Sequence, residues 1–243
     1  MSFLLLLAVA PGAYIVWHVY KQDKVEKEPK RLIRKLLIAG AVSVIPAIIL
    51  ELLVSYVFGI SSSESSSLAM AALDAFIVAA LVEEVLKYIT LKKLTWNIPE
   101  FNYTFDAIVY SVSVSMGFAI IENIFYVLSN GLGNAIIRAV ISVPGHAVFA
   151  VYMGYYYGLA KLTDADGDKR ESKKFLKKAL WVPIALHGFF DFCLMSGSTL
   201  LILLFLVFIG VLYFLTYKSL KRYSASDMAI YDGPDVIDTD QQA

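Results

Sequence analysis

Two adjacent glutamates, Glu83 and Glu84, lie inside an apolar run that extends from Leu68 to Leu91. A charged side chain near the centre of a membrane-spanning helix costs roughly 2.5 to 3.5 kcal/mol on insertion scales, so such groups need a function or a partner. Lys87 follows Glu83 by one helical turn and can neutralise it as a buried ion pair. That pairing gives no partner to Glu84, so we interpret the two glutamates as part of a functional site.

Further polar side chains lie in later apolar runs. Glu122 is followed by Asn123, His146 follows a Pro-Gly pair, and His187 precedes Asp191 by four residues. At this spacing Asp191 can orient the imidazole of His187, or both can reach a shared water or metal. Asn123 can hydrogen-bond to a neighbouring helix, and the small residues that recur every four positions after His146 predict close helix packing on its face. These side chains therefore point inward.

This set of side chains can support hydrolysis of a peptide bond. The reaction needs a base to activate water, a group that stabilises the oxyanion and an acid for the leaving amine. We expect one of the paired glutamates to be the base and favour Glu84. Two schemes are open: Glu122, His146 and His187 hold zinc, which acidifies its bound water, or the same groups position water without metal.

The motifs resemble those of the PrsW family of intramembrane proteases, which is related to the CAAX prenyl endopeptidases. They are Glu83-Glu84-x-x-Lys87, Phe118-x-x-x-Glu122-Asn123, His146 after Pro-Gly, and His187-x-x-x-Asp191, all within about residues 75–195. The resemblance implies an intramembrane endopeptidase whose catalytic set is Glu83, Glu84, Glu122, His146 and His187, with Lys87, Asn123 and Asp191 in support. It also implies a single-pass membrane substrate, by analogy an anti-sigma factor that is cut first in a stress response.

Two other classes of function stay open. A non-catalytic scaffold or substrate-binding subunit can share this superfamily fold, and intramembrane Glu, His and Asp also build the proton relays of transporters. The hydropathy shows no inverted repeat and no paired broken helices, which argues against a transporter. The presence of every motif side chain argues against an inactive scaffold.

The composition indicates a multi-pass protein of the cell membrane. Of the 243 residues, 58% are hydrophobic and 17% charged, and the mean hydropathy is +0.67. An ordinary soluble domain has about 25% charged residues. A formal net charge of zero gives no sign of nucleic-acid binding, and a single cysteine, Cys193, excludes an internal disulfide.

Seven stretches are long enough to cross a hydrocarbon core, which needs roughly 20 helical residues. They lie near residues 2–20, 35–59, 68–91, 105–128, 133–160, 177–196 and 198–217. We interpret the first as a retained helix rather than a signal peptide, because it lacks a basic leading segment. The sequence thus predicts an all-α bundle of about seven helices in a single domain, residues 1–223.

The basic residues predict the orientation of the bundle. Lys and Arg cluster in segments 21–35 and 161–178, which should face the cytoplasm and touch anionic lipid headgroups. Loops 61–67, 129–134 and 196–199 contain neither, and Arg138 is the one basic residue expected on the outer side. The N-terminus is therefore predicted outside and the C-terminus inside. Residues 224–243 are acidic and predicted to form a disordered cytoplasmic tail.

The predicted helix limits leave a conflict of depth. With 1.5 Å per residue, the candidate side chains are spread over roughly 14 Å along the membrane normal, with Glu122 nearest the outer face. Either Glu122 contributes from the rim of the site, or the fourth and fifth helices are misplaced.

Overall fold

The computed structural model describes residues 2–60 and 67–231, and most of these residues are helical. The α-helices are α1 (Ser2–Gln22), α2 (Lys30–Val42), α3 (Val44–Phe58), α4 (Leu68–Leu73), α5 (Val82–Thr95), α6 (Asp106–Val140), α7 (Ser142–Ala165), α8 (Lys169–Met195) and α9 (Thr199–Ala225). A π-helical segment, Asp74–Leu81, joins α4 to α5. The chain is an all-α membrane bundle, as its composition predicted.

Helix α6 forms the centre of the bundle and packs against α1, α2 and α7. Glycines bring the backbones together at these crossings. A Cβ atom added at Gly154 of α7 would lie 2.5 Å from Cα of Ile108, and one added at Gly117 of α6 would collide with the carbonyl of Leu37. The close packing predicted for the small residues after His146 is confirmed.

The boundary between α6 and α7 differs from the predicted one. The break predicted between the helices 105–128 and 133–160 coincides with a kink at Gly131, but the chain is helical again up to Val140, and α7 begins only at Ser142. Gly131, with φ of 75° and ψ of −162°, kinks α6, a conformation that glycine adopts without a Cβ penalty. Pro144 lies in the first turn of α7, where no intrahelical donor is lost. His146 therefore lies near the start of α7.

The glutamate pair directly follows the π-helical segment. A π-helical turn is rare and often occurs at functional sites, because the inserted residue changes which side chains face a neighbour. Phe76 of this segment packs against Gly188 of α8, where any Cβ would collide with its ring. This contact holds the π-helical segment against α8 and so positions the start of α5.

Five stretches of the described chain are long and apolar enough to cross a membrane, namely 4–22, 30–58, 106–165, 169–195 and 199–225. The third contains both α6 and α7, and the stretch with the glutamate pair is not among them. The count of seven spans and the orientation therefore remain predictions. Of the predicted acidic tail, residues 232–243 lie outside the described residues, whereas Asp227 accepts hydrogen bonds from Thr104 and Phe105.

Candidate active site

Lys87 connects the two glutamates of α5. Its Nζ donates to Oε2 of Glu83 and to Oε1 of Glu84, at 2.8 Å in each case. The spacing predicted the first contact, and the second gives Glu84 the partner that the sequence left undefined. Glu84 and Lys87 are each only 1% exposed. Such a buried pair is costly to break, because removal of one partner leaves an uncompensated charge.

His187 of α8 lies between two carboxylates. Its Nδ1 is 3.0 Å from Oε1 of Glu84, and its Nε2 is 3.2 Å from Oδ2 of Asp191. The ring of Phe149 stacks on the imidazole at a centroid distance of 4.9 Å. The i, i+4 contact with Asp191 follows from helical spacing, whereas the contact with Glu84 requires α5 to pack on α8.

His146 of α7 is also engaged at both ring nitrogens. Its Nδ1 lies 3.2 Å from Nζ of Lys87 and its Nε2 lies 2.9 Å from Oε2 of Glu122. Since Lys87 can only donate, Nδ1 of His146 accepts and Nε2–H donates to Glu122. Ser115 of α6 donates to the backbone carbonyl of His146 at 3.1 Å. The tautomer and the ring orientation are thereby fixed.

Arg138, which was not identified from the sequence as a candidate, contacts two of the predicted residues. Its Nη2 lies 3.0 Å from Oε2 of Glu122, and its Nε donates to Oδ1 of Asn123 at 3.0 Å. Asn123 in turn donates to the carbonyl of Ala8 at 2.9 Å, which is the interhelical contact expected of it. The sequence did contain one indication of its role, because Arg138 is the one basic residue on its predicted side of the membrane.

A cavity of about 360 Å³ opens between these helices. Its acidic and basic lining side chains are Glu51, Glu83, Glu122, Arg138, His146, His187 and Asp191, whereas Glu84 and Lys87 do not line it. Glu51 of α3 was not identified from the sequence, although the argument that selected Glu83 applies equally to a carboxylate in this apolar helix. The structure thus brings together every residue that was predicted to be catalytic, and places Glu51 and Arg138 in the wall of the same cavity.

Four donor atoms could hold a metal ion. One atom each from Glu83, Glu84, His146 and His187 lie within 4.8 Å of one another. Two carboxylate oxygens and two imidazole nitrogens are ligands that zinc accepts. Each histidine presents its other nitrogen to a carboxylate, the arrangement that orients zinc-bound histidines. The group fits a divalent metal, and Glu122, expected as a ligand, lies instead at the outer nitrogen of His146.

Comparison with known proteins gives a consistent family. Residues 28–217 match the family model described as PrsW family intramembrane metalloprotease. The chain is 35% identical over 196 residues to Protease PrsW of Geobacillus kaustophilus, covering 81% of each chain. It is 34% identical to Protease PrsW of Clostridioides difficile, with 95% of each chain covered, and 31% identical to that of Bacillus subtilis, with 95% of this chain and all of the relative covered. No solved structure matches.

Proposed function

The chain belongs to the PrsW family of intramembrane metalloproteases, and from this premise we propose that it cleaves a single-pass membrane protein in the cavity lined by Glu83, His146 and His187. By resemblance the substrate is an anti-sigma factor whose first cut starts regulated proteolysis. The observation that carries the proposal is a cavity of about 360 Å³ whose wall includes seven acidic or basic side chains.

We assign the role of general base to Glu83. Its carboxylate lines the cavity, whereas that of Glu84 does not line it and accepts from both Lys87 and His187. The geometry therefore supports Glu83 as the base, whereas the sequence had led us to favour Glu84. A base must reach the water that it deprotonates, and a general base contributes about 10²- to 10⁴-fold to the rate. Glu83 can then return this proton to the leaving amine.

The remaining side chains position the reacting groups. Lys87 holds the carboxylate of Glu83, and Glu84 fixes both Lys87 and His187. Arg138 places a cation in the cavity wall, where it would stabilise a developing oxyanion. We therefore interpret Lys87 as a positioning residue, and Glu84 as one in the scheme without metal.

Glu84, His146 and His187 would hold the metal, which leaves Glu83 free to act on water. Three protein ligands and one open position are typical of catalytic zinc. When bound, zinc would acidify a water and polarise the scissile carbonyl. The ammonium of Lys87 contacts Glu83, Glu84 and His146. Metal binding therefore competes with Lys87 for these groups.

The test is cleavage of a single-pass reporter by purified protein reconstituted in lipid. We expect cleavage by the wild type, loss with Glu83→Gln, and no change with Glu171→Gln, a surface glutamate at the start of α8. An intact reporter with wild type, or equal cleavage by all three proteins, would overturn the proposal. A chelator added to the same assay separates the metal-dependent from the metal-free scheme.

A further inference from the structure

A second groove, of about 840 Å³, lies between α1 and α2, with Ile120 of α6 contributing to its wall. None of the side chains of the candidate active site lines it. Its inner part is apolar and is formed by Ala13, Val16, Ile33, Leu37 and Ile120. Ala13 is exposed, so this part of the groove is open.

The other end of the groove is basic. It is lined by Lys21, Lys27, Lys30 and Arg34, with no acidic residue in the lining. The aromatic rings of Trp17 and Tyr20 border the same end, and Nζ of Lys21 lies 4.4 Å from the Trp17 ring centroid. Trp and Tyr with this amphipathic character are enriched at the level of lipid headgroups.

The change from apolar to basic runs along the axis of α1, a helix long and apolar enough to cross a membrane. Ala13 and Lys21 are eight residues apart on α1, or roughly 12 Å at 1.5 Å per residue. This is the profile of a phospholipid, with the acyl chain inward and the phosphate at the surface. Basic pockets between transmembrane helices bind anionic headgroups.

We propose that this groove is a binding site for one anionic phospholipid. Its phosphate is held by Lys30 and Arg34, which are both exposed, and its acyl chain lies along Ala13 and Val16. Lys27 is less available, because its Nζ donates to the carbonyl of Tyr20 at 2.8 Å and so caps α1. The site joins α1 and α2, two of the helices that pack against α6.

The test is lipid retention, measured by native mass spectrometry after reconstitution in phosphatidylcholine with a minor fraction of phosphatidylglycerol. We expect wild type to retain one phosphatidylglycerol and the double variant Lys30→Gln/Arg34→Gln to retain at least tenfold less. The matched control is Lys218→Gln/Lys221→Gln, which removes the same charge from exposed positions of α9 and should retain lipid as wild type does.

A substitution at the apolar end tests the acyl-chain part. Ala13→Phe keeps every charge and fills the groove, so it should also lower retention. The proposal would be overturned if the α9 control lost as much phosphatidylglycerol as Lys30→Gln/Arg34→Gln does, or if that double variant retained as much as wild type. It would also be overturned if wild type retained phosphatidylcholine as well as phosphatidylglycerol. If inorganic phosphate at low concentration displaced the phosphatidylglycerol completely, the groove would be a site for free phosphate and the lipid proposal would be wrong.

A separate observation concerns Glu51 in the wall of the candidate active-site cavity. The other carboxylates of that wall each contact a cationic or imidazole group, Glu83 with Lys87, Glu122 with Arg138 and Asp191 with His187. Among the residues that the structure describes, Glu51 has no hydrogen bond and no ion pair. A charged carboxylate in an apolar helix is costly, and a cationic partner removes much of that cost.

We infer that Glu51 holds a basic side chain of the substrate, so that Lys or Arg near the scissile bond favours cleavage. This inference rests on the proposed function. Lys and Arg side chains occur near the ends of membrane segments, where their apolar stems lie along neighbouring apolar surface. Glu51 would select such a residue by charge, and a neutral replacement should lose that selection.

The test uses single-pass reporters in which one Lys replaces Met at successive positions. We expect wild type to show a higher kcat/KM for at least one Lys reporter than for the Met reporter. That ratio should fall toward one in Glu51→Gln, and Glu51→Lys should prefer a Glu reporter. Wild-type cleavage of the Met reporter without any Lys preference, or an unchanged ratio in Glu51→Gln, would overturn this inference while the protease function stands.

Discussion

Nε2 of His146 lies 2.9 Å from Oε2 of Glu122, so Glu122 contacts the side of the imidazole that faces away from the glutamate pair. An outer carboxylate orients a metal-ligating histidine, and its loss typically lowers metal affinity by about 10- to 100-fold. We therefore expect Glu122→Gln to weaken zinc binding within that range and His146→Ala to abolish it, as measured by competition with a chromophoric chelator. If Glu122→Gln abolished zinc binding as fully as His146→Ala, Glu122 would instead be a direct ligand of the metal.

Replacement of Glu83 and replacement of Glu84 should have different effects on catalysis and stability. Glu83→Gln should lower kcat by about 10²-fold or more with little change in KM, because it removes the base. Glu84→Gln should lower both activity and thermal stability, since Lys87 and His187 lose a shared acceptor. Steady-state kinetics and the thermal unfolding midpoint separate the two. The reverse pattern would return the role of base to Glu84.

Lys87→Met should make stability depend on metal. The substitution leaves two buried glutamates without their cation, and breaking a buried pair from one side typically costs about 3 to 5 kcal/mol. A divalent cation can replace the lost charge, so added zinc should raise the unfolding midpoint of Lys87→Met more than that of wild type. Lys93→Met, at an exposed position of the same helix, is the control. An equal zinc effect in all three proteins would contradict the prediction.

Arg138 should tolerate lysine only in part. Arg138→Lys keeps a cation near Glu122 but cannot also make the planar second contact with Asn123. We expect reporter cleavage to decrease in the order wild type, Arg138→Lys, Arg138→Gln, with a parallel fall in thermal stability. Full activity of Arg138→Gln would show that this residue has no part in the site.

Asp23, in the connection between α1 and α2, should make stability depend on pH. Burial raises the pKa of its carboxyl from 3.8 to about 6, against the opposing charge of Lys27 and with Asp227 and Glu26 adding to the increase. The folded state thus binds the proton more tightly than the unfolded state, so stability falls as the pH rises from about 4 to about 6.

Asp23→Asn removes this titration. Its thermal unfolding midpoint should vary less with pH over the same window and should exceed that of wild type at neutral pH. The corresponding gain in unfolding free energy is on the order of 1 to 2 kcal/mol, since one pKa unit corresponds to about 1.4 kcal/mol. Asp166→Asn, at an exposed position, should follow the wild-type profile. Identical pH profiles for wild type and Asp23→Asn would refute the assignment.

The sequence by itself determined the class of protein and the chemistry of its site. Apolar runs of membrane-spanning length require helices, because each backbone polar group in lipid must be satisfied within the chain. Ionisable groups in those runs are costly, so Glu83, Glu84, His146 and His187 could be selected without coordinates. Helical spacing also gave the local contacts of Glu83 with Lys87 and of His187 with Asp191.

Only the tertiary structure decided which groups meet across helices. The kink at Gly131 and the later start of α7 bring Glu122 to His146 and remove the conflict of depth. The packing of α5 on α8 joins Glu84 to His187, and the cavity wall includes Glu51 and Arg138 while excluding Glu84. Helical periodicity shows which side chains share a face, but which neighbour that face meets depends on how the whole bundle packs.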